Sequence, residues 1–144
     1  MATKALLLLI LLVAVIRVEA ELMYTPEIGS PLRKTLMNAL RQPIMKALNQ
    51  SVIFKIDELQ VKDGWAFMRG QPFQPGGIPV DYSVTPHQEA IWAGAFEDLF
   101  YALLRQEQDR WEVVVYVIGA TDEVYKTWAK KYGAPRELFR AKKR

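Results

Sequence analysis

The stretch Val52-Ile53-Phe54-Lys55-Ile56-Asp57-Glu58-Leu59-Gln60-Val61-Lys62-Asp63-Gly64-Trp65-Ala66-Phe67-Met68-Arg69 decides how this chain folds. Val52, Phe54 and Ile56 recur at every second position, the period of a strand with one buried face. Leu59 and Val61 resume the alternation on the opposite parity, so the spacing predicts a β-bulge at Asp57-Glu58. Asp63-Gly64 predicts a tight hairpin turn, because glycine enters the positive-φ region without a Cβ clash. On the return strand Trp65, Phe67 and Arg69 point one way, Ala66 and Met68 the other.

Upstream, Ser30-Pro31 signals a helix start: serine accepts from an orphan N–H, and proline suits the first helical position. Leu32, Leu36, Met37, Leu40, Ile44 and Leu48 follow at spacings of three and four, a stripe that faces a core. Pro43 interrupts that run and predicts a kink, or a break followed by a short second helix. Asn49-Gln50-Ser51 ends it, and residues 21–29 read as a loose lead-in.

Downstream, residues 71–86 carry Pro72, Pro75, Gly76, Gly77, Pro79 and Pro86. That density argues against a central strand and leaves Val80 to Val84 as a short edge strand. Residues 89–106 read two ways. Phe96, Leu99, Phe100, Leu103 and Leu104 fit a helix face, whereas Phe100, Ala102 and Leu104 alternate. The valine-rich run from Trp111 to Ile118 wants a neighbour, and Gln106 to Asp109 looks like a hairpin tip, so a strand over Leu99 to Gln106 is preferred. Apolar residues on both faces of Val113 to Ile118 mark a central strand. Thr121 or Asp122 caps a last helix with Val124, Tyr125, Trp128 and Tyr132 buried, and Gly133 stops it.

The N-terminus carries its own signal. Lys4 precedes an uninterrupted apolar run, Ala5 to Ile16, and small residues at Val18 and Ala20 fit a signal peptidase, which predicts cleavage before Glu21. Twelve apolar residues cover about 18 Å of a hydrocarbon core about 30 Å thick, too short for a retained anchor. The chain holds no cysteine, which excludes disulfides, a thiol nucleophile and Cys-containing zinc sites. The expected localisation is secreted or periplasmic, and no integral membrane segment is expected after cleavage. Residues 21–135 carry 12 basic and 14 acidic residues, whereas Arg136, Arg140, Lys142, Lys143 and Arg144 crowd the end. The basic excess is thus assigned to a tail rather than a folded face, which argues against a nucleic-acid partner.

The expected organisation is a signal peptide over 1–20, a lead-in over 21–29, one α+β domain over 30–139 and a basic tail over 140–144. In that domain an N-terminal helix packs on a four- to five-stranded antiparallel sheet, with a C-terminal helix. The ordered set Gly29-Ser30-Pro31-Leu32-Arg33, Phe54 to Val61, Gly64-Trp65-Ala66-Phe67, Ala102 to Arg105, Trp111 to Val114, Gly119 to Asp122 and Tyr132-Gly133-Ala134-Pro135 resembles a family of small exported bacterial proteins of uncharacterised activity. The element order is also similar to cystatin-like and NTF2-like rolls; that resemblance implies topology and no activity.

Little in the sequence points to catalysis. His87 is the only histidine. As a general base it would need an orienting carboxylate, for which Asp81 is the near candidate; the plain alternative is an exposed loop residue. No nucleophile elbow, phosphate loop or metal-ligand spacing occurs, so neither cofactor nor metal is expected. Asp57 at the bulge, Trp65 and Trp92 among the large rings, and Asp122 at a helix start are the candidate ligand-binding residues. The preferred function is a non-enzymatic envelope domain that binds a protein, peptide or glycan. The alternatives are a small NTF2-like acid–base enzyme using Asp57 or Asp81 with His87, and a tether acting through residues 140–144.

Overall fold

The computed structural model describes residues 21–140. The expected leader, 1–20, and residues 141–144 of the expected tail lie outside the described residues. Helix α1 spans Pro31–Leu48; Ser30 caps it, its side chain accepting from the Arg33 N–H at 3.3 Å. Leu36, Leu40, Ile44 and Leu48 are fully buried along one line, each stabilising the fold by about 1.5–3 kcal/mol. That line runs across Pro43, and of the two expectations, a kink or a break, the break does not occur: α1 runs on to Leu48, where Asn49 at φ 53° closes it. Packing of Leu40 and Ile44 offsets the missing hydrogen bond.

The expected hairpin is present. Strands β1 (Ile53–Lys62) and β2 (Trp65–Gln74) pair antiparallel through Asp63 (φ 49°) and Gly64 (φ 76°). The register shifts between Ile56 and Glu58, leaving Asp57 as the bulged residue. This single extra residue keeps Phe54, Ile56, Leu59 and Val61 on the α1 side. Strand β2 runs further than expected, through Pro72, which lies opposite Phe54. The proline is tolerated because β2 has lost its other full neighbour by then: the pairing with β4 ends at Gly70.

After Pro75-Gly76-Gly77 the chain returns as β3, only Ile78–Pro79. Val80 to Val84 is not the expected edge strand; Tyr82–Val84 forms a 3-10 turn capped by Asp81. A short helix, α2 (Gln88–Trp92), precedes β4 (Phe100–Glu107) and β5 (Arg110–Ile118). Residues 100–107 are therefore a strand, as preferred. The sheet order is β1-β2-β4-β5, with β3 against β2. That order corrects the placing of β5: it is an edge strand, and β2 and β4 are central.

The valine run misleads because both faces of the sheet are covered. On the first face α1 packs against Ala66, Met68, Phe100, Ala102, Leu104 and Ile118, joined by Trp111 and Val113. On the second, Phe67, Tyr101 and Leu103 meet Tyr125, Trp128 and Leu138, with Val115 and Val117. A second bulge, between Leu103 and Leu104, switches β5 from one face to the other and leaves Val114 exposed.

The C-terminal segment is less regular than expected. It is a 3-10 turn (Val124–Thr127), a five-residue α3 (Trp128–Tyr132) and another 3-10 turn (Arg136–Phe139). Neither Thr121 nor Asp122 caps it; Glu123 precedes the first turn without a side-chain cap. Gly133 ends α3 at φ 75°, as expected. The lead-in is not loose either. Tyr24 and Val61 exchange backbone hydrogen bonds of 3.0 and 2.8 Å, and Thr25 Oγ1 donates to the buried Gln60 Oε1 at 3.3 Å. The free edge of β1 offers unpaired backbone groups, and the lead-in takes them.

Candidate functional site

The four buried residues of α1 sit four apart in a line, Leu32, Met37, Ala39, Met45 and Ala47 pack partly buried against the same core, and the rest of the helix forms an outer surface. That outer surface carries Arg33, Lys34, Arg41 and Lys46. It carries no carboxylate: between Glu27 and Asp57 the sequence has no acidic residue. Leu32, Met37 and Met45 border the cations, each half-buried and packed against the core. Two shallow recesses run along the helix, one lined by Gly29, Arg33, Lys34, Met37, Asn38 and Arg41, the other by Met45, Lys46, Asn49 and neighbouring residues. Arg33 donates to the Pro26 carbonyl at 3.0 Å, and Arg41 donates to Asn38 Oδ1. Both guanidiniums are thereby steadied by neutral acceptors, and neither joins an ion pair among the described residues.

The expected assignment of the net basic excess to the tail concerns the sum over residues 21–135 and is silent on this local run of cations. Summing charge over residues 21–135 hides a local pattern: residues 28–56 carry Arg33, Lys34, Arg41, Lys46 and Lys55 with no carboxylate, and residues 124–140 carry Lys126, Lys130, Lys131, Arg136 and Arg140 against Glu137 alone. The ion pairs Arg105–Glu107, Arg110–Glu112 (3.7 Å) and Lys126–Glu123 lie away from α1.

The second face holds a different cluster. Arg69 lies opposite Glu58 on one side and Tyr101 on the other. Tyr125 donates to Glu123 Oε1 at 3.0 Å, and Lys126 pairs with the same carboxylate. These donors hold the Glu123 carboxyl below its ordinary range. Burial, then the Glu123 bond, pushes the Tyr125 phenol up to about 12. Burial also raises Tyr101, with Arg69 opposing it. The Tyr125 phenol therefore stays protonated at neutral pH, the form in which it donates to Glu123. Sequence reading missed this cluster, because only strand register brings Glu58, Arg69 and Tyr101 abreast.

His87 is half-buried rather than exposed. Its ring lies 5.5 Å from that of Phe96 and 6.2 Å from that of Tyr82. Burial lowers its pKa. Asp81 does not orient it: that carboxylate accepts from the Ser83 N–H at 3.0 Å and from the Ser83 hydroxyl. Tyr82 instead donates to Asp98, which also accepts from Gln71 Nε2 at 2.7 Å. The loop is thus knitted to β2 by polar bonds that leave no carboxylate beside the imidazole.

The four residues singled out from sequence are dispersed. Asp57 is exposed at the β1 bulge, and Asp122 is exposed in the loop after β5. Trp92 ends α2 and is 79% exposed. Trp65 begins β2, five residues and about 17 Å of strand from Gly70; it packs with the second-face core, the Arg105 guanidinium 5.5 Å above its ring. Among the described residues no hydrogen bond, ion pair or ring contact joins any two of the four. No helix among the described residues is long and apolar enough to cross a membrane, and no group of three or more His, Asp and Glu residues there could share a metal ion. No family model, no curated protein and no solved structure matches this chain.

Proposed function

We propose that this protein is an exported, non-enzymatic binding domain of the cell envelope that rests on anionic lipid headgroups through the outer face of α1. The carrying observation is that face itself: four cations, no carboxylate over residues 28–56, and half-buried Leu32, Met37 and Met45 among the charges. Cations attract headgroup phosphates, each worth about 1 kcal/mol near an anionic leaflet. The exposed parts of Leu32, Met37 and Met45, whose remainder packs against the core, add apolar area to that contact, which favours lipid over a purely polar polyanion such as nucleic acid. The leader-like residues 1–20 bring the chain to a compartment bounded by lipid. The resemblance to small exported bacterial proteins, and to cystatin-like and NTF2-like rolls in element order, fits this reading. The acid–base alternative draws no support from His87, whose neighbours are rings.

Cosedimentation of the purified protein with phosphatidylcholine vesicles, with and without phosphatidylglycerol, tests the reading. Binding that needs phosphatidylglycerol and fades between low and high salt is expected. Equal binding to both vesicles, or none at low salt, rejects it, as does capture by nucleic acid under conditions where vesicles are ignored.

A further inference from the structure

The lead-in places one backbone nitrogen at an unusual position. Glu21 N donates to Asp63 Oδ1 at 2.9 Å. The Tyr24–Val61 bridge and the Thr25–Gln60 bond hold residues 21–25 along the free edge of β1, so that this nitrogen reaches the hairpin turn. Asp63 is itself fixed there by its positive φ and by Gly64. Glu21 is also the residue before which the leader is expected to be cut.

We infer that Asp63 is the receptor for the new N-terminus made by leader removal. Cleavage adds water across the Ala20–Glu21 peptide bond; Ala20 leaves with the carboxylate, and the Glu21 nitrogen becomes an ammonium group. In the precursor that nitrogen offers Asp63 one uncharged N–H. In the mature chain it offers three donors and a positive charge to a carboxylate already in hydrogen-bond range. Maturation therefore tightens a strap that already lies along the edge of β1. Glu21 is exposed, as is the neighbouring Leu22 at 87%. The charged groups around the turn are Lys62, the Glu21 side chain, Arg105 and Glu107 flanking Gln106, whose N–H donates to the Gly64 carbonyl at 2.8 Å, and Glu137, whose carboxyl is lowered by its backbone hydrogen bond and then by Lys62. This inference rests on the export reading.

The test uses material exported from a host carrying the full-length precursor, as wild type and as Asp63→Asn. Asparagine keeps an acceptor oxygen and tolerates positive φ, so the hairpin survives and only the charge is lost. Intact mass reads the first residue. The amine is then labelled by reductive methylation with carbon-13 formaldehyde and titrated by NMR. A chain beginning at Glu21, with an amine titrating about half a pH unit higher in wild type than in D63N at low salt, is expected. A chain beginning elsewhere overturns both the inference and the cleavage before Glu21. A chain beginning at Glu21 whose amine titrates identically in both proteins overturns the docking alone and leaves export standing.

Discussion

The two faces of the sheet are covered in different ways. On the first face one regular 18-residue helix buries a single aliphatic line and turns cations outward. On the second, two 3-10 turns and a five-residue helix lay rings over the sheet. Phe67 is the hub, with ring centroids of Phe139 at 5.0 Å, Tyr125 at 5.1 Å, and Tyr101 and Trp128 at 6.4 Å. Short helices are weak on their own and depend on tertiary packing, and bulky rings provide it. The first face combines a firm scaffold with an acid-free charge pattern. The second uses its polar groups, Arg69, Glu123, Tyr101 and Tyr125, largely on one another. The proposed binding surface is placed on α1, where no carboxylate interrupts the cations over residues 28–56.

The comparison breaks most visibly at the cores. Leu40→Ala empties a fully buried site under α1 and lowers global stability by about 2–5 kcal/mol in urea unfolding. Trp128→Ala loosens the second cover locally: amides of residues 124–139 exchange faster while those of α1 keep their protection. If α1 amides lose protection equally, the two covers are one cooperative unit and the contrast fails.

Gly70→Ala comes next. A Cβ there would stand 2.3 Å from the Lys55 carbonyl oxygen and 3.1 Å from the Phe100 ring, at the point where the β1 bulge brings two backbones together. The loss is about 1–3 kcal/mol by thermal or urea unfolding; an unchanged midpoint would show that the bulge can open. Tyr125→Phe removes the donor to Glu123 at a cost of about 1 kcal/mol. It also removes a high-pH dependence. The raised phenol favours the neutral form in the folded state, so its contribution is complete below about pH 10 and is lost as pH climbs toward 12. A Tyr125→Phe protein that still loses the same stability over that interval would assign the effect elsewhere.

The smallest effect concerns His87. Burial lowers its folded-state pKa, so the unfolded chain binds the proton more readily. Stability from the neutral ring is complete above the unfolded value near 6.5 and declines as pH falls toward the folded one. His87→Gln flattens that decline in melting temperatures measured across mildly acidic pH; an unaltered slope would mean the ring is not desolvated.

Local signals were legible in the sequence. The hairpin, its bulge and the Ser30-Pro31 helix start depend on neighbours within a few residues, and all three stand as read. Features that depend on layers were not. Valines on both faces of Arg110–Ile118 meant two covered faces, not two flanking strands. Pro43 looked like a break because the line from Leu36 to Leu48 that holds the helix together is tertiary. The candidate residues Asp57, Trp65, Trp92 and Asp122 were chosen by type, and the fold scatters them. The acid-free interval from 28 to 56 was in plain view, yet a domain-wide charge sum cancelled it.

The most direct test exchanges the roles of the two faces. One variant changes Arg33, Lys34, Arg41 and Lys46 to glutamine; another changes Lys126, Lys130, Lys131 and Arg136 to glutamine, and circular dichroism checks that both fold. Binding to phosphatidylglycerol-containing vesicles is then titrated at low salt. The first variant should weaken by more than about 100-fold, at roughly 1 kcal/mol per cation, while the second stays within a few-fold of wild type. Equal losses, or a loss confined to the second variant, would contradict the assignment of the binding face to α1.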